Sequence, residues 1–113
     1  MRGEGLELTQ TVQMLHEATH RLSEASREVF RLAKKKAEAE QIYRVSLGQE
    51  MFLLREEKIP VTLIPDMARS RVAELKFERD LSADMYRAAL SSMEALKVEI
   101  NALQSIAKYN SEI

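Results

Sequence analysis

A chain of 113 residues is one domain at most. Its 31% charged and 5% aromatic content, with three Gly, two Pro and no Trp, is the composition of long helices and coiled coils. The lack of cysteine excludes disulfides, thiolate zinc sites and cysteine nucleophiles. Ten basic and ten acidic side chains over residues 1–58, then seven and eight over 59–113, leave none of the basic excess that a dedicated nucleic-acid binder carries.

Residues 1–6 hold two of the three glycines and are expected to fray, with no hydrophobic run that would make a secretory signal. Thr9 or Thr11 is a candidate cap for the first helix. From there Leu8, Val12, Leu15, Ala18, Leu22, Ala25, Val29 and Leu32 recur three and four apart, which is a heptad stripe. The next seam position is Lys36, and the stripe resumes displaced as Ala39, Tyr43, Leu47, Met51 and Leu54, a slip that locally unwinds a left-handed supercoil. Gly48 reads as a weak point or a close backbone approach. A break there would give a three-helix bundle instead.

Ile59-Pro60-Val61-Thr62-Leu63-Ile64-Pro65-Asp66 joins two prolines, β-branched residues and a capping type, and predicts the turn on which the chain reverses. Asp66 is the expected cap of the second helix. Its stripe runs Ala68, Val72, Leu75, then loosely Leu81/Ser82, Met85/Tyr86 and Ala89, then cleanly Met93, Leu96, Ile100, Leu103 and Ala107. The expected fold is therefore all-α, one domain over residues 1–113. It is a long antiparallel helical hairpin with helix 1 over 8–57, a turn over 59–65 and helix 2 over 66–110. A turn centred near Thr62 and Leu63 places Leu22 near Leu103, Ala25 near Ile100, Val29 near Leu96, Leu32 near Met93, Met51 near Leu75 and Leu54 near Val72.

Such a hairpin buries little surface for its length. Met14, Phe30, Ile42, Phe52, Leu53, Phe77, Leu90, Val98 and Ile106 do not fit one seam, and an apolar face left open marks a partner. Dimerisation into a four-helix bundle is the economical expectation. The expected oligomer or partner interface comprises Phe30, Phe52, Leu53, Ile59, Leu63, Ile64, Phe77, Met93, Leu96, Ile100 and Leu103. The tip, from Phe52 to Leu54 through Ile59, Val61, Leu63 and Ile64, reads equally as a local cap or a docking knob.

Two stretches carry candidate chemistry. His16-Glu17-Ala18-Thr19-His20 matches H-E-x-x-H, in which two histidines one helical turn apart grip zinc and the glutamate activates a bound water. A catalytic zinc wants a third protein ligand, and only Glu24 and Glu28, on the same helix, are near in sequence. The heptad register turns Leu15, Ala18 and Leu22 to the seam and leaves His16 and His20 outside, so two solvated histidines are the expectation, with no cofactor. Arg31, Lys34, Lys35 and Lys36 form the one dense basic patch, able to neutralise phosphates but flanked by Glu28, Glu38 and Glu40. Serines and threonines lack a histidine base, which leaves nucleophilic catalysis without a candidate.

The runs Val61–Arg69, Ala73–Asp80, Met85–Ala89 and Ala102–Ile106, with residues 37–43, resemble small all-helical coiled-coil proteins of bacteriophages and prophages, often encoded among replication and recombination genes. The resemblance brings no catalytic residues. With the open apolar helix faces and the hairpin tip, the expected function is a non-enzymatic scaffold or accessory protein of the cytoplasm, the host's if phage-encoded, that pairs with itself and with another protein. A nucleic-acid-associated accessory factor using residues 31–36, a small helical inhibitor of a host enzyme, and a zinc peptidase are the alternatives. No apolar run reaches the roughly 20 residues of a membrane span.

Overall fold

The computed structural model describes residues 7–112, and every regular element among them is helical. The elements are α1 (Leu8–Glu56), a 3₁₀ turn (Val61–Leu63), α2 (Ile64–Arg71) and α3 (Ala73–Glu112). The chain divides into two compact units, one of residues 1–30 with 88–113, the other of residues 31–87.

Forty-nine residues form one helix because nothing in α1 stops it: no proline, and Gly48 as its single glycine. The N-terminus is held in a way the threonines do not explain. The Glu7 N–H donates to Gln10 Oε1 at 3.3 Å, and the Thr11 hydroxyl donates back to the Glu7 carbonyl at 3.0 Å. Thr11 is thus a buried residue of the first turns and Thr9 a helical one, and neither is the cap. Gly48 does not break the helix, and no other part of this chain's backbone closes in on it, since a Cβ there would meet nothing within 4 Å.

α1 ends in a Schellman motif. Lys58 takes the left-handed conformation (φ 60°), its N–H donates to Arg55 O at 3.0 Å, and the Ile59 N–H reaches Leu54 O at 3.2 Å. Ile59 then packs against the cluster of Leu54, Ile64 and Ala68, and Pro60 prevents the helix from resuming. α2 starts two residues before the expected Asp66, with Leu63 at its cap position and Pro65 in its first turn, where a missing N–H is harmless. Asp66 is inside that turn. Its carboxylate favours the positive helix end and accepts from Arg69 at 3.2 Å. Between α2 and α3 the chain leaves α geometry at Val72 (φ −111°, ψ 21°), yet Val72 N–H still reaches Ala68 O and Lys76 N–H reaches Val72 O.

In the 31–87 unit Glu50 meets Arg71, Glu40 meets Arg79 and Lys36 meets Tyr86. One number falls as the other rises, so the two arms are antiparallel. The core is Leu54 against Ile64 and Ala68, with Leu47, Met51, Ile59 and Met67 around it. Leu54 therefore faces residues about one helical turn before Val72. The reason is the turn itself: the contacts Glu50–Arg71, Glu40–Arg79 and Lys36–Tyr86 centre the hairpin near residue 60, about two residues before the expected Thr62–Leu63, and moving a hairpin's centre by two moves every pairing by about four.

In the other unit Leu15, Leu22, Ala25 and Val29 are half-buried, Ala18 and Leu103 are buried, and Arg21 forms an ion pair with Glu99. That pair sets α1 about a turn earlier on α3 than the expected Leu22–Leu103 match. On α3 the ambiguous positions resolve as Ser82 and Tyr86, with Leu81 and Met85 outside, and the helix continues through Asn110 and Ser111 to Glu112.

Candidate interaction surface of the 31–87 unit

The tip is built from the Schellman turn, the two prolines and the Leu54 core, and this sorts its apolar residues into two sets. Ile64 is buried and Ile59 half-buried, so both belong to the cap over the hairpin end. Val61 (79% exposed) and Leu63 (51%) face solvent on the 3₁₀ turn, and Phe52 and Leu53 do so on α1. Of the expected interface residues, Phe30, Phe52, Leu53, Leu63 and Phe77 are exposed, while Met93, Leu96 and Ile100 are half-buried. Ile64 and Leu103, also expected at the interface, are buried within their own units. Leu90, left over from the expected seam, is half-buried too.

Sequence reasoning passed over Val45, which is 52% exposed. The signal was present: Ile42, Val45, Gln49 and Phe52 recur three and four apart, a second short stripe beside the seam stripe.

Where the seam slips, the structure builds a polar waist. Tyr43 is buried, and the Arg79 guanidinium stands over its ring at 4.3 Å while approaching Glu40 at 3.7 Å and Asp80 at 3.0 Å. The Lys36 ammonium lies 5.8 Å from the centre of the Tyr86 ring. Ser82 is buried at the same level, and no buried side-chain nitrogen or oxygen among the described residues lacks a hydrogen-bond partner. Seam positions occur here as adjacent residues, Ala39/Glu40, Ser46/Leu47 and Glu50/Met51, as a stutter requires.

Hydrogen bonds from Lys76 and then Arg79 hold the Asp80 carboxyl below the ordinary aspartate range. The hydrogen bond to Asp80 raises the Arg79 guanidinium, and the one to Glu50 raises Arg71. In the groove beside the waist, lined by Ala33, Lys36, Ala37, Glu40, Gln41, Arg44, Val45 and Tyr86, Lys36 stands over Tyr86 and Arg44 donates to Glu40 at 2.7 Å. The waist is a fastening between helices.

The basic patch is divided by the same geometry. Arg31, Lys34 and Lys35 are exposed on the outer side of α1, but Lys36 is turned to Tyr86 across the hairpin. The H-E-x-x-H stretch lies in the other unit. Ala18 is buried, His16 and His20 are exposed, Glu17 accepts from Gln13 at 3.1 Å, and the His20 ring rests on Glu24 at 3.3 Å. No group of three metal-ligating side chains occurs among the described residues. No described helix is long and apolar enough to cross a membrane.

Comparison with protein-family models, with characterised proteins and with solved structures gives no match.

Proposed function

We propose that this chain is a non-enzymatic interaction protein, a scaffold or accessory factor that pairs with itself and with another protein. The carrying observation is the set of large apolar side chains that the 31–87 unit leaves in solvent after its own core is complete: Ile42, Val45, Phe52, Leu53, Val61, Leu63 and Phe77. The other unit also exposes Phe30, Val98 and Tyr109, and exposed apolar side chains of this size are what docking surfaces are made of. The likeness of the second half to small phage coiled-coil proteins supports the same reading, with a cytoplasmic site of action.

Co-purification followed by light scattering tests it. Leu63→Glu and Phe77→Glu, both at exposed positions, should abolish the chain's protein complexes while circular dichroism stays helical, and Lys34→Glu should leave them intact. Complexes indifferent to both apolar changes would overturn the reading. Nucleic-acid association is the rival, and it keeps three of its four cations on one side of α1. It requires binding that weakens steeply with salt and is lost on changing Arg31, Lys34 and Lys35.

A further inference from the structure

The outer side of α1 carries a second apolar row that the hairpin does not use. At 100° per residue, Ile42, Val45, Gln49 and Phe52 follow one another on the side away from Tyr43, Leu47, Met51 and Leu54. Ile42, Val45, Phe52 and Leu53 are all exposed. The two charged residues of this span are engaged elsewhere, Arg44 with Glu40 and Glu50 with Arg71. Gly48 stands beside the row with open space where its Cβ would be. The hairpin derives no packing from that glycine, and a missing side chain on an outer helix face allows another backbone to come close.

The ends of the row say what that other backbone is. Lys34, Lys35 and Glu38 precede it and Arg55, Glu56, Glu57 and Lys58 follow it, all exposed; at 100° per residue Lys34, Lys35, Glu38 and Glu56 fall on the row's own side, while Glu57 takes Arg71 at 3.5 Å. A parallel copy of α1 would set lysines against lysines. An antiparallel copy sets lysines against glutamates at both ends, and flanking charges of this kind choose orientation in paired helices.

We propose that α1 pairs with α1 of a second copy, antiparallel, about a two-fold axis near Val45. Val45 then meets its symmetry mate, Ile42 covers Gly48 and Gln49 of the second copy, Phe52 lies over the stem of the second copy's Glu38, and Lys34 and Lys35 lie beside Glu56 of the second copy. The contact is isologous and closes at two chains. It runs through α1 alone, so the hairpins meet back to back and do not form a square four-helix bundle. The inference rests on the self-pairing part of the function proposed above and names its geometry.

The absence of cysteine makes the test free of background. Bridging needs Cα atoms within about 7 Å. Val45→Cys, close to the axis, should oxidise to a covalent dimer. Phe52→Cys should not, because the two copies of residue 52 stand about 20 Å apart along the helices. A mixture of Lys35→Cys and Glu56→Cys chains should give the mixed dimer. Val45→Glu should weaken self-association by about tenfold or more in light scattering, with helicity unchanged.

A dimeric wild type whose Val45→Glu variant is equally dimeric, or a Phe52→Cys dimer as complete as that of Val45→Cys, overturns this pairing and leaves self-association standing. A wild type that is monomeric at its highest soluble concentration overturns both. The complexes that depend on Leu63 and Phe77 are read separately in either case.

Discussion

At the residue scale, two positions hold more than their residue types announce. Lys58 occupies a left-handed conformation that a Cβ disfavours by about 1 kcal/mol or more, and nothing in its neighbourhood requires a lysine there. Lys58→Gly is expected to stabilise the chain by about 1 kcal/mol, read as a higher urea midpoint with an unchanged slope. Asp80 is the second. Its folded pKa lies below the ordinary value because Lys76 and Arg79 favour the charged form, so its contribution is complete above the ordinary aspartate range and is lost as pH falls through the depressed value. Asp80→Asn should flatten the acid limb of a stability-against-pH curve and leave the limb above neutrality unchanged. A steeper acid limb would show that the Lys76–Asp80–Arg79 contacts do not persist in solution.

At the element scale, the long uninterrupted α1 depends on helix propensity outside and a narrow seam inside. Gly48 weakens the propensity side without serving the hairpin. Gly48→Ala should therefore add about 1 kcal/mol to the isolated chain's stability, measured by thermal melting at low concentration. Leu54 anchors the seam side: it is fully buried and touches Ile64 and Ala68 beneath the turn. Leu54→Ala should cost about 2–5 kcal/mol, since so small a core has little around it to collapse into the space. If the loss were only a few tenths, the Leu54 cluster would not be the core of this unit. The seam stripe of α1 was legible residue by residue from Leu15 to Leu54, because burial on a helix follows the same three-and-four spacing that the apolar residues show. Leu81 against Ser82 and Met85 against Tyr86 were not, since at a polar waist hydrophobicity ceases to mark the inside: Ser82 is buried while Leu81 is exposed.

At the scale of the whole molecule, exposed apolar side chains on α1, the turn and α3 stand where a self-sufficient small protein would place charge. The self-association proposed above would make stability a function of concentration. The melting midpoint of the wild type should rise with each tenfold increase in protein, whereas that of Val45→Glu should stay fixed. A midpoint independent of concentration in both would remove self-association from the account.

By itself, the sequence determined an all-helical chain that turns back near its two prolines, the α1 seam stripe from Leu15 to Leu54 with its slip at Lys36 (its expected first members Leu8 and Val12 are exposed), and the exposure of His16 and His20. Each of these follows from spacing along one helix or from local backbone chemistry, which need no knowledge of what lies opposite. Only the tertiary structure decided the register, the assignment of Ile64 and Leu103 to the inside, the diversion of Lys36 from the basic patch to Tyr86, and the freedom of the Val45–Phe52 row. Those depend on which residue of the returning helix arrives at each level. That in turn hangs on a cap two residues long, formed by Lys58 and Ile59, whose left-handed step no lysine advertises.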